Sequence, residues 1–127
     1  MILVSDNKFQ ELINDCLQEM SGPHLTAIKN IAILYEEIPT KEQRHKLALR
    51  NDQTLLGLYE GVPLTLRQGQ TPILPDKITL FKAPMQIRAL TINELREDIK
   101  HTLWHELAHY YGLNHDQISQ LESGANT

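Results

Sequence analysis

The sequence predicts an α+β fold in which a small three- to four-stranded sheet packs on a long C-terminal helix and on an N-terminal helix. Apolar residues recur at helical spacing near the N-terminus and again near the C-terminus of the 127-residue chain, and each of these two patterns predicts a helix. Short apolar runs bounded by glycine and proline lie between the two patterns and predict the sheet. No repeat or long linker divides the chain, so we expect residues 1–127 to form one domain.

The first helix is predicted to begin after a cap at Ser5 or Asp6. Apolar residues follow at 3.6-residue spacing over residues 9–20, and a Ser-Gly-Pro sequence ends the pattern. Cys16 lies on this apolar face and is interpreted as a small core residue rather than a nucleophile. As the one cysteine of the chain it forms no internal disulfide, which favours a reducing compartment.

Short elements are predicted in the middle of the chain. The strands are residues 31–35, 55–60 and 78–81. The first is a continuous apolar run, which is typical of a buried strand. In the second, Gly57 allows a bulge or a close backbone approach. Thr40 and Gln43 form a capping-box pattern, which predicts a short helix over about residues 41–49.

The long helix is predicted to begin after Thr91, which forms a second capping-box pattern with Glu94. It extends from residue 92 to about residue 111, and Gly112 marks its end. An apolar stripe follows one face at four-residue intervals, made by Leu95, Ile99, Leu103 and Leu107. At 1.5 Å per residue the helix is roughly 30 Å long, so it crosses the whole core.

Two histidines stand near the end of this helix. His105 and His109 are four residues apart, so both imidazoles project from one face and can bind one tetrahedral zinc ion. Glu106 stands where the glutamate of an H-E-x-x-H site acts as general base on zinc-activated water. Beyond Gly112 the chain can fold back and supply His115 as a third ligand. The pattern H-E-x-x-H-x-x-G-x-x-H is similar to the zinc signature of the metzincin metalloproteases.

His101 is the alternative third ligand. It lies eight residues before His109, about 12 Å along the helix, which is too far for one ion to bridge all three stacked histidines. We therefore predict His115 as the third ligand, with Asp116 in reserve because carboxylates also bind zinc. Otherwise Asp116 orients a ligand or, as we favour, caps a last helix over about residues 117–122.

The charge and hydropathy of the chain limit the classes of molecule that it is expected to bind. A net charge of −4 gives no electrostatic footprint for nucleic acid. The N-terminus lacks the pattern of a secretory signal, and no apolar run approaches the ~20 residues that span a bilayer. We expect a cytoplasmic protein that acts on a peptide or protein substrate and contacts neither membrane nor nucleic acid.

Two further segments resemble the short bacterial zincin-like metallopeptidases, also called minimal metalloproteases. Residues 55–64 are similar to that family's L-G-L-Y-E-G-x-P-L segment, and residues 74–81 to its L-P-D-x-I-T-L-Y/F strand. The resemblance implies a compact α+β domain with His105 and His109 as zinc ligands and Glu106 as catalytic base. Family members often carry aspartate in place of His115. The chain has no methionine after His115, so it lacks the Met-turn of the larger metzincins.

These features favour zinc-dependent hydrolysis of peptide bonds, with Glu106 as the general base. The strand at residues 55–60 is a candidate edge for pairing with an extended substrate. Tyr59, Tyr110 and Tyr111 are candidates for stabilising the oxyanion, although each is more typical of a packing residue. Two alternatives stay open: a zinc-binding interaction module with little or no turnover, and a purely structural zinc site with a fourth protein ligand.

Overall fold

A computed structural model describes residues 1–20, 31–50, 54–63, 66, 68, 75–112 and 116–117. Over these residues the chain forms the predicted α+β fold. The elements are α1 (Asp6–Glu19), β1 (Ile31–Glu36), α2 (Lys41–Lys46), β2 (Gly57–Glu60), β3 (Asp76–Phe81), α3 (Lys82–Arg88) and α4 (Ile92–Tyr110). None of the described helices has the length and apolar character needed to cross a bilayer. Most of the last helix, predicted at residues 117–122, lies outside the described residues.

The three described strands form one sheet in the order β1-β3-β2. The central strand β3 runs parallel to β1 and antiparallel to β2, which leaves β2 at one edge. The prediction that the first strand is buried was wrong in part. Because β1 lies at the other edge, Leu34 is 48% exposed and Glu36 faces solvent, although Ile31 is buried.

The core lies between the sheet and the two longest helices. α1 begins at Ser5, whose hydroxyl accepts a hydrogen bond from the Lys8 amide at 3.1 Å. Its buried face packs on the predicted stripe of α4, and Leu95, Ile99, Leu103 and Leu107 are all fully buried. Burial of each such side chain contributes about 1.5–3 kcal/mol relative to exposure, so this stripe fixes the rotation of α4 about its axis. Cys16 is fully buried, as predicted.

The helix α2 has the predicted capping box, in which Thr40 and Gln43 exchange side-chain and backbone hydrogen bonds. It ends earlier than predicted because Ala48 adopts a left-handed φ of 53°. The Leu49 amide then donates to the Arg44 carbonyl, which reverses the chain in the manner of a Schellman motif.

The helix α3 was not predicted, because its seven residues are too few for helical periodicity to be recognised. Pro84 is tolerated as the third residue of α3, where a helical amide has no intrahelical acceptor. Met85 is fully buried. The buried Lys82 ammonium lies 2.7 Å from a carboxylate oxygen of Asp6 and 3.8 Å from one of Glu37. These two ion pairs connect α3 to α1 and to the residues that follow β1.

Candidate metal centre

The C-terminal half of α4 brings two imidazoles and a carboxylate together. The rings of His105 and His109 are edge to face, with centroids 5.1 Å apart. One potential ligand atom from each of His105, Glu106 and His109 lies within 4.8 Å of the other two. Both histidines are half-buried, whereas Glu106 is buried. The arrangement follows from helical geometry, since the capped start at Thr91 and the buried stripe set the register of the helix.

These residues fit a zinc ion. Two imidazole nitrogens one helical turn apart are donors that zinc prefers, and both face a common space. The predicted third ligand, His115, lies outside the described residues, and Asp116 is exposed. His101 is exposed, and its ring centroid lies 6.4 Å from that of His105. His101, His105 and His109 are therefore stacked along the axis of α4. This stacking is the reason that His101 was not predicted as the third ligand.

Glu106 is only 6% exposed. Burial raises the pKa of its carboxyl to about 7, and a hydrogen bond from the backbone amide of Tyr59 acts in the opposite direction. A carboxyl with a pKa near neutrality can both accept and release a proton at physiological pH. The environment of Glu106 therefore suits a general base that must later act as an acid.

The Tyr59 amide reaches Glu106 because of the register of β2. The Phe81 amide donates to the Leu56 carbonyl at 2.9 Å, which makes these two residues a hydrogen-bonded pair. Such pairs alternate along an antiparallel ladder, so Gly57 and Tyr59 occupy the positions between them. Their amides and carbonyls point away from β3, toward α4 and the outer edge of the sheet that the described strands form.

Gly57 makes the close approach of β2 to α4 possible. A Cβ atom at this position would lie 2.5 Å from the Cγ2 methyl of Thr102, closer than side chains pack. The predicted close backbone approach is therefore confirmed, while the uninterrupted pairing of β2 with β3 shows no bulge at Gly57. Thr102 lies one helical turn before Glu106, and Gly57 lies two residues before Tyr59. The strand and the helix thus run side by side in the same direction.

Two of the three candidate tyrosines are held by packing contacts. The Tyr59 hydroxyl donates to the carboxylate of Asp76 at 2.7 Å, and Asp76 is 2% exposed. Tyr110 is buried and packs edge to face on Tyr59, with centroids 6.1 Å apart. Tyr111 caps the helix and is half-buried; burial, and then the neighbouring Tyr110, raise its pKa. The sequence prediction did not single out Asp76 as a partner of Tyr59.

A groove of about 740 Å³ lies between the edge of β2 and α4. His105, Glu106 and His109 line one side of it, and apolar residues that include Leu55, Leu58 and Pro63 line the other. The volume is in the range of small-molecule and peptide sites. Arg88, which the sequence prediction did not single out, lines the same groove together with His101.

Comparison with known proteins identifies a family for this chain. A family model described as zincin-like metallopeptidase matches residues 28–125, a span that covers all three strands and the whole of α4. No curated protein matches the chain. The matched span includes the two histidines and the glutamate of the candidate centre.

Proposed function

The chain belongs to the zincin-like metallopeptidase family, and from this premise we propose that it hydrolyses peptide bonds in the groove between β2 and α4, using zinc. One observation carries the proposal. The potential ligand atoms of His105, Glu106 and His109 converge within 4.8 Å at the wall of a groove large enough for a peptide segment. Metal-assisted hydrolysis needs ligands, a base and a substrate cleft in one place, and these three features coincide here.

In this proposal His105 and His109 hold the zinc ion, and His115 supplies the third ligand after the chain turns at Gly112. Gly112 has a φ of 88°, a left-handed conformation that favours glycine and redirects the chain at the end of the helix. Three protein ligands leave a coordination position open, as catalytic zinc sites require. When bound, zinc supplies a Lewis acid that polarises the substrate carbonyl and makes water nucleophilic near neutral pH.

Glu106 moves the proton. As the water oxygen bonds to the carbonyl carbon, the Glu106 carboxylate accepts a proton from that water. As the carbon–nitrogen bond breaks, Glu106 donates the proton to the leaving amine, so one peptide bond and one water yield a carboxylic acid and an amine. The hydrogen bond from the Tyr59 amide orients the carboxylate, and the raised pKa of Glu106 favours the first transfer, in which it accepts the proton of the water.

The edge of β2 binds the substrate backbone. The outward-facing amide and carbonyl of Gly57 offer hydrogen bonds to an extended peptide, as in recognition by strand addition. The Tyr59 amide is already engaged by Glu106, so substrate pairing is centred on Gly57. Alternate side chains of the peptide then point toward the apolar lining of the groove.

A peptide-library digest with zinc-loaded protein tests the proposal. Wild-type protein should cleave library peptides. Glu106→Gln should bind zinc with the same stoichiometry but lose at least about 100-fold in turnover, the usual contribution of a general base. Glu97→Gln is the matched control, because Glu97 is exposed on the same helix and should leave turnover unchanged.

Equal turnover by wild type and Glu106→Gln would refute the proposed role of Glu106. Zinc binding without any cleavage by the wild type would favour the alternative, a zinc-binding interaction module with the same fold.

A further inference from the structure

The groove has an uneven distribution of charge. Among its described lining residues, Arg88 is the one permanent cation, and the one carboxylate is Glu106 at the candidate metal centre. The Arg88 side chain is 65% exposed, and its Nε lies 3.7 Å from a carboxylate oxygen of Asp98. This separation is longer than a direct hydrogen bond, so Asp98 positions the guanidinium only loosely. Arg88 therefore presents a guanidinium to a ligand in the groove.

The distance from Arg88 to the reacting bond can be measured along α4. Asp98, which positions Arg88, lies eight residues before Glu106, or about 12 Å along the helix axis. An extended peptide advances about 3.4 Å per residue, so it covers that distance in three to four residues. Since an arginine side chain can reach back toward the centre, the guanidinium meets a substrate roughly two to four residues from the bond that is cleaved.

The direction of the substrate follows from the direction of β2. The strand meets α4 first at Thr102, through Gly57, and then at Glu106, through Tyr59. It therefore runs in the same direction as the helix. A peptide that pairs antiparallel to β2, the more stable arrangement per residue, runs the opposite way, toward Arg88. The residues that reach Arg88 are consequently those on the leaving-amine side of the cleaved bond.

We propose that Arg88 is a specificity-determining residue that binds a substrate carboxylate two to four residues beyond the cleaved bond, on the leaving-amine side. The inference rests on the peptidase function proposed above. The planar guanidinium presents paired N–H donors that match a carboxylate. The carboxylate is either the α-carboxylate of the substrate's C-terminus or an aspartate or glutamate side chain, which share this chemistry.

The test uses a mixture of random decapeptides with free C-termini, digested by the zinc-loaded full chain and analysed by mass spectrometry. Among the peptides that the wild-type protein cleaves, acidic side chains or C-termini should be enriched about fivefold over neutral residues at the stated positions. This is the effect of one exposed ion pair. Arg88→Met keeps an unbranched apolar stem but removes the guanidinium and its charge, and it should abolish the enrichment. Lys100→Met is the control, because Lys100 is an exposed cation of α4 that pairs with Glu19 outside the groove.

Matched synthetic peptides separate the two sources of the carboxylate. One pair carries glutamate or glutamine at the preferred position, and the other ends there in a free acid or an amide. Binding gives a second readout: zinc-loaded Glu106→Gln should bind the charged member of the preferred pair about fivefold more tightly, and adding Arg88→Met should equalise the two.

Four results would overturn the inference. Cleavage by the wild type without a carboxylate preference, or a preference that persists in Arg88→Met, would exclude Arg88 as the determinant while leaving the peptidase function intact. A preference on the opposite side of the cleaved bond would exclude antiparallel binding. No cleavage of any peptide by the wild type would instead overturn the proposed function together with this inference.

Discussion

The backbone amide of Tyr59 donates a hydrogen bond to the carboxylate of Glu106. The edge strand and the helix that carries the histidines therefore meet at the proposed general base. Gly57, two residues earlier on the strand, meets Thr102, one turn earlier on the helix. Two strand residues advance about 6.8 Å and one helical turn of four residues about 6 Å, so the two contacts match in spacing. This match joins substrate binding at β2 to proton transfer at α4.

Gly57→Ala should disrupt that match. The added Cβ would lie 2.5 Å from the Thr102 methyl, so strand and helix must separate and the Tyr59–Glu106 hydrogen bond must lengthen. We expect a loss of about 1–3 kcal/mol in the free energy of unfolding, typical of overpacking. We also expect a fall of about tenfold or more in kcat/KM, because a misplacement near 1 Å is costly for catalysis. Urea unfolding and peptide turnover measure the two effects.

The rescue variant for this prediction is Thr102→Ser, which removes the clashing methyl but keeps the hydroxyl. The double variant with Gly57→Ala should recover most of the lost stability and turnover. If Gly57→Ala were as active as the wild type, the close contact would not position the base.

Tyr59→Phe should cost stability rather than catalysis. Its hydroxyl donates to Asp76, a carboxylate that is 2% exposed and that also accepts a longer contact from the Val62 amide at 3.4 Å. Loss of one donor to a buried carboxylate should lower the free energy of unfolding by about 1–3 kcal/mol. The kcat should change by less than about threefold, since the hydroxyl is engaged by Asp76 rather than by a group of the metal centre. A hundredfold fall in kcat with unchanged stability would instead assign this hydroxyl to the oxyanion.

Histidine variants should identify the metal ligands. His105→Ala, His109→Ala and His115→Ala should each weaken zinc binding by at least about 100-fold, because even groups that only support a ligand contribute 10- to 100-fold. His101→Ala should leave the affinity within about threefold, since its place along the helix axis excludes it from the same ion. Competition with a chromophoric chelator measures all four. Retention of zinc by His115→Ala together with its loss in Asp116→Asn would transfer the third ligand to Asp116.

The sequence predicted the two long helices and the grouping of histidines because both depend on local geometry. Cap residues such as Thr91 and an apolar stripe with a period of 3.6 residues determine where α4 begins and which face is buried. Once that helix is placed, His105 and His109 must share a face. The third ligand stays a prediction.

The parts of the fold and site that were not predicted depend on contacts between residues distant in the sequence, or on backbone groups that every residue type shares. Gly57 indicated a close approach, but nothing in the sequence named Thr102 as the residue it meets. Every residue except proline has a backbone amide, so the sequence does not single out the amide of Tyr59. Its role follows only from the register of β2. The helix α3 is seven residues long and includes a proline, too short for helical periodicity to be recognised. The groove position of Arg88 was missed with it.

Metal-free protein should lose stability as the pH rises from about 4.5 to about 7. Burial raises the pKa of Glu106 from 4.5 to about 7, so in this window the folded state keeps a proton that the unfolded chain releases. Rising pH then favours the unfolded chain, by a total on the order of 3 kcal/mol, and the loss levels off above pH 7. Urea unfolding in the presence of a chelator, measured at intervals across this range, tests the expectation.

Glu106→Gln isolates the contribution of this carboxyl, because every other side chain is the same in the two proteins. The variant should lack the decline that the wild type shows, and the difference between the two should be complete above pH 7. Adding zinc to the wild type provides a second control. A nearby dication favours the carboxylate and lowers its pKa, so the decline should shrink as the metal binds. Parallel stability curves for metal-free wild type and Glu106→Gln would show that burial between β2 and α4 does not perturb this carboxyl, and the proposed benefit of a raised pKa in accepting the proton of the water would lose its physical basis.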